Sequence, residues 1–232
     1  MKNCVKKPLK LPSCADFDLL SLLNMLFFSD FLQRYKKNRN FAKNYVRMII
    51  GITGTIGAGK GTIVDYLVAE KGFLHFSVRD FLTEELEKQG LAVNRDTMVT
   101  LANSLRATYS PSYITDQLFE RAVKSGKNVI IESIRAVGEI DSLRKKKGFI
   151  LFAVDADVHK RYERIVKRGS ATDHIDFDTF VENEKREMTT TDPTKQNLSE
   201  CIKKADYLFT NDKEIIDLQR DIEQALSSLS SL

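Results

Sequence analysis

The 232-residue chain is 42% hydrophobic and 29% charged, which suits a soluble globular protein of one large α/β domain, or one domain plus an appendage. Cys4, Cys14 and Cys201 lack paired spacing, and His75, His159 and His174 are equally scattered. Neither a disulfide framework nor a zinc site is indicated, and a reducing, cytoplasmic setting is expected. The formal charge of +4 is uneven: residues 1–47 hold ten Lys/Arg against three Asp/Glu, and residues 48–232 hold 26 against 29. The body of the chain is therefore no basic nucleic-acid surface, and no nucleic-acid partner is expected.

Residues 1–47 read unlike the rest. Four lysines and two prolines precede the apolar run Leu19-Leu20-Ser21-Leu22-Leu23-Asn24-Met25-Leu26-Phe27-Phe28, and a second basic cluster runs from Arg34 to Arg47. The run is too short to span a bilayer, so no membrane span is expected. A basic start before a short apolar stretch imitates a secretory signal, but no small-residue cleavage pattern follows. A basic, poorly ordered or loosely docked helical extension without a catalytic role is the expectation. An organelle leader, or translation from upstream of a natural start at Met48, are the alternatives.

Residues 48–232 read as one domain. Met48-Ile49-Ile50-Gly51-Ile52-Thr53 is an apolar β-type run that ends in the glycine-rich turn Gly54-Thr55-Ile56-Gly57-Ala58-Gly59-Lys60-Gly61-Thr62, and a helix is expected over 59–70. Strand, glycine-rich loop and helix in that order make a polyphosphate site. Glycines let backbone N–H groups approach phosphate oxygens, and the helix N-terminus adds about half a positive charge. Gly54, Thr55, Gly57, Ala58, Gly59, Lys60, Gly61 and Thr62 are thus the candidate nucleotide-binding residues, with Lys60 a mobile cation able to follow a transferred phosphate. The strict P-loop pattern has Ser or Thr directly after the lysine, to hold magnesium; here Gly61 takes that place and the hydroxyl comes at Thr62.

Beyond the loop, a strand is expected over 73–77 and Ser77 can cap a helix over 79–88. Helices over 96–107 and from Pro111-Ser112 to 123 follow, then the strand Val129-Ile130-Ile131-Glu132 and a helix over 136–147 that Gly148 breaks. Phe149-Ile150-Leu151-Phe152-Ala153-Val154-Asp155 is the clearest strand, and a basic helix over 157–168 leads to a small polar loop. Helices over 177–188 and 196–204, a short strand within 205–211 and an amphipathic helix over 214–226 complete the chain. Apolar strands alternating with helices predict a parallel sheet covered on both faces, with ligands beyond the carboxyl ends of its strands. The informative stretches are then the P-loop, 77–80, 132–135 and 155–157.

Over about residues 48–228 the chain resembles P-loop small-molecule kinases of the adenylate-kinase and dephospho-CoA-kinase type. The Gly-Lys-Gly-Thr ending at 59–62 is the nucleoside-monophosphate-kinase form of the loop. His75-Phe76-Ser77-Val78-Arg79-Asp80-Phe81-Leu82 looks like the segment leading into that family's acceptor-binding helix. Ile130-Ile131-Glu132-Ser133-Ile134-Arg135 is similar to its third-strand segment, and Glu163-Arg164-Ile165-Val166-Lys167-Arg168 to the helix entering the lid. Ala205-Asp206-Tyr207-Leu208-Phe209-Thr210-Asn211 is closer to the dephospho-CoA kinases and adenylate-kinase-related ATPases. Thr83 stands where adenylate kinases carry an acceptor-binding arginine, and the lid, about 169–175, is short and without cysteines. The resemblance implies a three-layer α/β P-loop NTPase fold with a five-stranded parallel sheet, a helical acceptor-binding region and a short lid.

It also implies roles. Lys60 and the loop amides hold the donor, ATP. Glu132 with Thr62 holds Mg2+, unless Glu132 is only a strand-end cap. Arg135 clamps the acceptor phosphate in two-pronged fashion. Arg164 and Arg168 lie four apart on one helix face, so lid closure brings Arg164 to the base and Arg168 to the phosphates; the other basic residues of 160–168 read as a solvated face. Asp80 is a general base or a helix-start acid, Arg79 and Arg106 are acceptor contacts or surface helix residues, and the polar loop over 192–197 edges the adenine. The expected activity is transfer of the ATP γ-phosphate to a small nucleotide acceptor by a monomer or homodimer. A dephospho-CoA-kinase-like enzyme and a nucleotide-binding regulatory module are the competing readings.

Overall fold

The computed structural model describes residues 48–170, 174–192 and 195–229. The expected extension over 1–47, part of the expected lid at 171–173, and Pro193-Thr194 in the 192–197 loop lie outside the described residues. In chain order the elements are β1 (Ile49–Gly54), α1 (Lys60–Lys71), β2 (Leu74–Ser77), α2 (Val78–Lys88), α3 (Arg95–Thr108), α4 (Tyr113–Ser125) and β3 (Val129–Glu132). They continue as α5 (Val137–Leu143), β4 (Phe149–Asp155), α6 (Val158–Arg168), α7 (Phe177–Met188), α8 (Leu198–Lys203), β5 (Tyr207–Thr210) and α9 (Ile215–Leu229).

All five strands pair in parallel, in the order β2-β3-β1-β4-β5. Ile50 lies opposite both Ile130 and Ile150, so the most apolar residues of three strands sit in one row. The chain leaves β1 for the β2 edge, returns through β3, and crosses over β1 to reach β4. That reversal opens a crevice at the carboxyl end of β1, where doubly wound sheets hold their ligands.

Strand side chains alternate between faces, and both faces are buried. On one, Ile49, Val129, Ile131 and Leu151 pack with Phe81 and Leu82 of α2, Ile114 and Leu118 of α4, Ile140 and Leu143 of α5, and Cys201 of α8. On the other, Ile50, Ile52, Ile130, Phe152 and Val154 pack with Ile63 and Leu67 of α1, Phe209, and Leu218 and Ile222 of α9. This is the three-layer α/β arrangement expected from near-continuous apolar strands. Burial of each fully enclosed side chain contributes about 1.5–3 kcal/mol, so the sheet is the stable platform on which the loops are mounted.

Helix boundaries follow local hydrogen bonding. The Ser77 hydroxyl accepts from the Asp80 amide at 3.2 Å and starts α2, as the sequence suggested. α3 starts a residue or two earlier than expected, because the Asn94 side chain accepts from the Thr97 amide at 3.0 Å and the Thr97 hydroxyl answers the Asn94 amide. α5 ends at Leu143, short of the 147 expected: the chain then tightens into turns, with Lys145 N bonded to Ser142 O and Lys146 N to Leu143 O.

Candidate active site

The P-loop joins the carboxyl end of β1 to α1, and its shape is set by close backbone approach. Gly54 has φ +142°, and a Cβ there would lie 2.1 Å from the Val154 carbonyl oxygen; Gly57 has φ +77°, and its Cβ would lie 2.5 Å from the Arg161 carbonyl oxygen. Only glycine fits either place. Gly61 differs: a Cβ would meet nothing within 4 Å. The left-handed Gly59 precedes α1 without a capping side chain, whereas α2, α3, α6, α7 and α8 start on Ser77, Asn94, Asp157, Asp176 and Asn197. The first amides of α1 thus face the crevice as donors suited to an anion.

Three elements brace the loop from outside. From the end of β4, the Asp155 carboxylate accepts from the Thr55 hydroxyl at 2.5 Å. From α6, Arg161 donates to the carbonyls of Ala156 at 2.8 Å and Ile56 at 3.3 Å, and forms a two-pronged pair with Glu184 of α7. Past β5, the Asn211 amide donates to the Ala58 carbonyl at 2.8 Å, while the Asn211 carbonyl accepts from Arg164 Nη2 at 2.7 Å. The expectation of a solvated basic face on α6 is corrected at Arg161, which is buried. Glu184, the Asp155 carboxylate 3.6 Å from its Nε, and the two carbonyls compensate its charge, an arrangement helix periodicity could not reveal.

Lys60 folds back over the loop, its Nζ donating to the carbonyls of Gly54 at 2.9 Å and Thr55 at 2.8 Å. Burial, and next the Arg135 guanidinium, lower its pKa to about 8. Glu132, Glu187 and Arg168 also act on it electrostatically, so four of the sequence-selected residues (Lys60, Glu132, Arg135 and Arg168) converge here.

Glu132 ends β3, one oxygen 3.2 Å from His75 Nε2 across the β2–β3 pairing. Burial would raise its pKa, but the His75 hydrogen bond and the Lys60 charge outweigh it and leave the carboxyl below its ordinary value. The same contact raises the pKa of His75, and Lys60 acts on Glu132 from the other side. Ser133, at φ +70°, turns the chain sharply after Glu132 and sends Ile134 back to bond the Ile52 carbonyl.

Arg135 does not stand ready for an acceptor. Its Nη1 is bonded to a Glu187 oxygen and to Gln196 Oε1 at 3.3 Å, and the other Glu187 oxygen accepts from Arg95 Nη2. From the 192–197 loop, Gln196 accepts from the Arg135 side chain and the Asn197 amide donates to the Arg135 carbonyl. Arg106 as an acceptor contact is corrected outright. It is 1% exposed, and its Nε and Nη2 donate to one Glu139 oxygen at 3.2 and 2.9 Å; the other oxygen accepts from the Arg135 and Ala136 amides, each at 2.9 Å. Its place in a polar helix end gave no sign that Glu139 would fold over it. Arg79 and Asp80 stand exposed in the first turn of α2, Asp80 close enough to act on His75. Thr62 lies in the first turn of α1, and Arg164, with Nη1 buried, leans on the chain after β5.

A family model described as an AAA domain matches residues 50–192, which takes in the loop, β3, β4 and α6. The chain belongs to the AAA domain family. Its curated relatives include UPF0200 proteins: that of Methanocaldococcus jannaschii is 30% identical over 186 residues, 78% of this chain and 90% of that protein. That of Pyrobaculum aerophilum is 28% identical over 78% of this chain and 98% of its own length. Among solved structures, this AAA domain is similar in fold to TT1252 of Thermus thermophilus, with TM-score 0.55, 19% identity and coverage of 79% and 98% of the two chains. It is also similar to a gluconokinase of Sinorhizobium meliloti (TM-score 0.51, 14% identity, 81% and 95%) and a shikimate kinase of Bacteroides thetaiotaomicron (TM-score 0.51, 14% identity, 80% and 99%). The fold is that of the P-loop kinases. Among the described residues no helix is long and apolar enough to cross a membrane.

Proposed function

We propose that the protein is an ATP- and Mg2+-dependent phosphotransferase that moves the γ-phosphate to a small acceptor, a (deoxy)nucleoside monophosphate or a related nucleotide metabolite. One observation carries this reading: the P-loop lysine shares its mouth with an acid at the end of β3 and with arginines from two further segments, Arg135 and Arg168. Phosphoryl transfer needs little covalent help. It needs charge on the equatorial oxygens neutralised and donor and acceptor held in line.

In this reading the α1 amides and Lys60 bind the β- and γ-phosphates, with Lys60 giving up its two loop carbonyls for phosphate oxygens. Arg168 and Arg164 close from α6, and Arg135 meets the acceptor. The donor set fits magnesium. Glu132 is held ionised and Thr62 offers a hydroxyl, while among the described residues no three or more His, Cys, Asp or Glu form a cage of their own. Mg2+ favours one or two protein oxygens with phosphate and water completing its shell. Bound between Glu132 and Thr62 it would supply charge neutralisation on the transferred phosphate, and His75 fixes Glu132 for that role.

The full-length protein, given Mg–ATP and a panel of nucleoside monophosphates, dephospho-CoA and sugars, is expected to form ADP with at least one acceptor. Lys60→Met is expected to abolish that turnover. ADP at background with every acceptor, unchanged by Lys60→Met, defeats the proposal and favours the regulatory-module reading.

A further inference from the structure

Two of the carboxylates that pair with arginines, Glu139 and Glu187, are built differently. Glu139 is sealed, at 0% exposure against Arg106 at 1%, with four donors on its two oxygens. Glu187, near the end of α7, is 8% exposed, and each oxygen takes one guanidinium: Arg95 at the start of α3 and Arg135 after β3. Those arginines keep 26% and 23% of their side-chain surface open. A carboxylate bridging two guanidiniums from separate segments has the shape and charge of a small oxyanion, and a phosphate, with more terminal oxygens, would satisfy the same donors better. Arg135 and Glu187 both act on Lys60, so the bridge lies beside the donor loop.

We propose that Arg95 and Arg135 together form the clamp for the phosphate of the acceptor, and that Glu187 occupies this clamp until an anionic acceptor displaces it. Glu187 is then a built-in competitor. It lowers the apparent affinity for anions by the fraction of molecules in which the clamp is closed, and it rejects neutral acceptors, which cannot replace its charge. Arg95 becomes a substrate contact that no sequence pattern marks. The idea rests on the phosphotransfer reading above, because it takes the clamp to face the transferred phosphate.

The test is calorimetric titration of inorganic phosphate into the full-length protein whose nucleotide site has first been filled with ADP. Glu187→Gln keeps the side chain's size and removes its charge, and is expected to bind phosphate about ten-fold tighter than the parent, equivalent to ~1.4 kcal/mol. The gain should vanish in Glu187→Gln/Arg95→Ala. If Glu187 is only a brace, Glu187→Gln lowers the Tm and leaves phosphate affinity unchanged or weaker, and the proposal is overturned. Should Glu187→Gln not fold, Glu187→Asp is too short to bridge both arginines; it is expected to show the same direction of change, and no gain from it is equally fatal. The preliminary ADP titration separates the two ideas. Failure to bind ADP removes the phosphotransfer reading and the clamp with it, whereas ADP binding without a phosphate gain removes the clamp alone.

Discussion

Lys60 and Arg106 show how differently two buried cations are used. Lys60 is held by two carbonyls in a place that lowers its pKa to about 8, so the folded chain carries a charge it would rather shed. A group placed at such a cost serves binding before stability. Lys60→Met is therefore expected to lose ATP turnover while its thermal midpoint stays within a few degrees of the parent; a large fall in Tm by calorimetry would contradict this. The sign with pH follows: the unfolded chain holds the Lys60 proton longer than the folded one, so this residue's contribution to stability rises as pH climbs above about 8. Arg106 is the opposite case. It and Glu139 are sealed together, so Arg106→Ala leaves an uncompensated buried carboxylate and should cost about 3–5 kcal/mol in urea unfolding. A higher acceptor KM at unchanged stability would instead mean that Arg106 reaches the substrate.

Among elements, the P-loop and the caps separate what is required from what is permitted. At Gly57 both the left-handed φ and the Arg161 carbonyl forbid a side chain, so Gly57→Ala is expected to weaken ATP binding at least ten-fold and to lower the Tm. Gly61 meets nothing, so Gly61→Ser should keep ATP binding and leave stability unchanged or raise it by about 0.5 kcal/mol, because serine costs a helix less than glycine. Isothermal titration and denaturant melts read both. The aspartates that cap α6 and α7, Asp157 and Asp176, are held below the usual carboxylate range by the amides of Lys160 and His159 and by the hydroxyl and amide of Thr179. A lowered folded pKa contributes stability above the unfolded value and loses it as pH falls through the folded one. Asp157→Asn should accordingly flatten acid unfolding below the usual aspartate range, since asparagine still caps but does not titrate. A melt series from neutral to acidic pH that follows the parent's slope would disprove it.

For the whole molecule, a sheet buried on both faces carries a crevice made of loops, so ligand binding should stabilise the fold by mass action alone. Mg–ATP at about 100 times its Kd is expected to add ~2.7 kcal/mol, seen as a Tm rise of a few degrees that Lys60→Met lacks. Absence of any nucleotide-dependent shift would count against a nucleotide site. How much of this was legible beforehand depended on the range of the interaction. The strands 129–132 and 149–155, the helix 177–188 and the Ser77 cap were readable because apolar runs, periodicity and capping act within a few residues, and the glycine loop was readable because its chemistry is continuous in the chain. The sequence by itself thus determined the alternation of strands and helices, the double-sided sheet and the phosphate loop. Only the tertiary structure decided the strand order that puts β3 and β4 beside β1, the burial of Arg106 and Arg161, and the partners Glu139, Glu184 and Glu187, which lie 33 residues from Arg106, 23 from Arg161, and 52 and 92 from Arg135 and Arg95. Charge pairing has no period along the chain. An arginine that will be sealed, one that will brace a loop and one that will wait behind a carboxylate look alike until the sheet brings their acids to them.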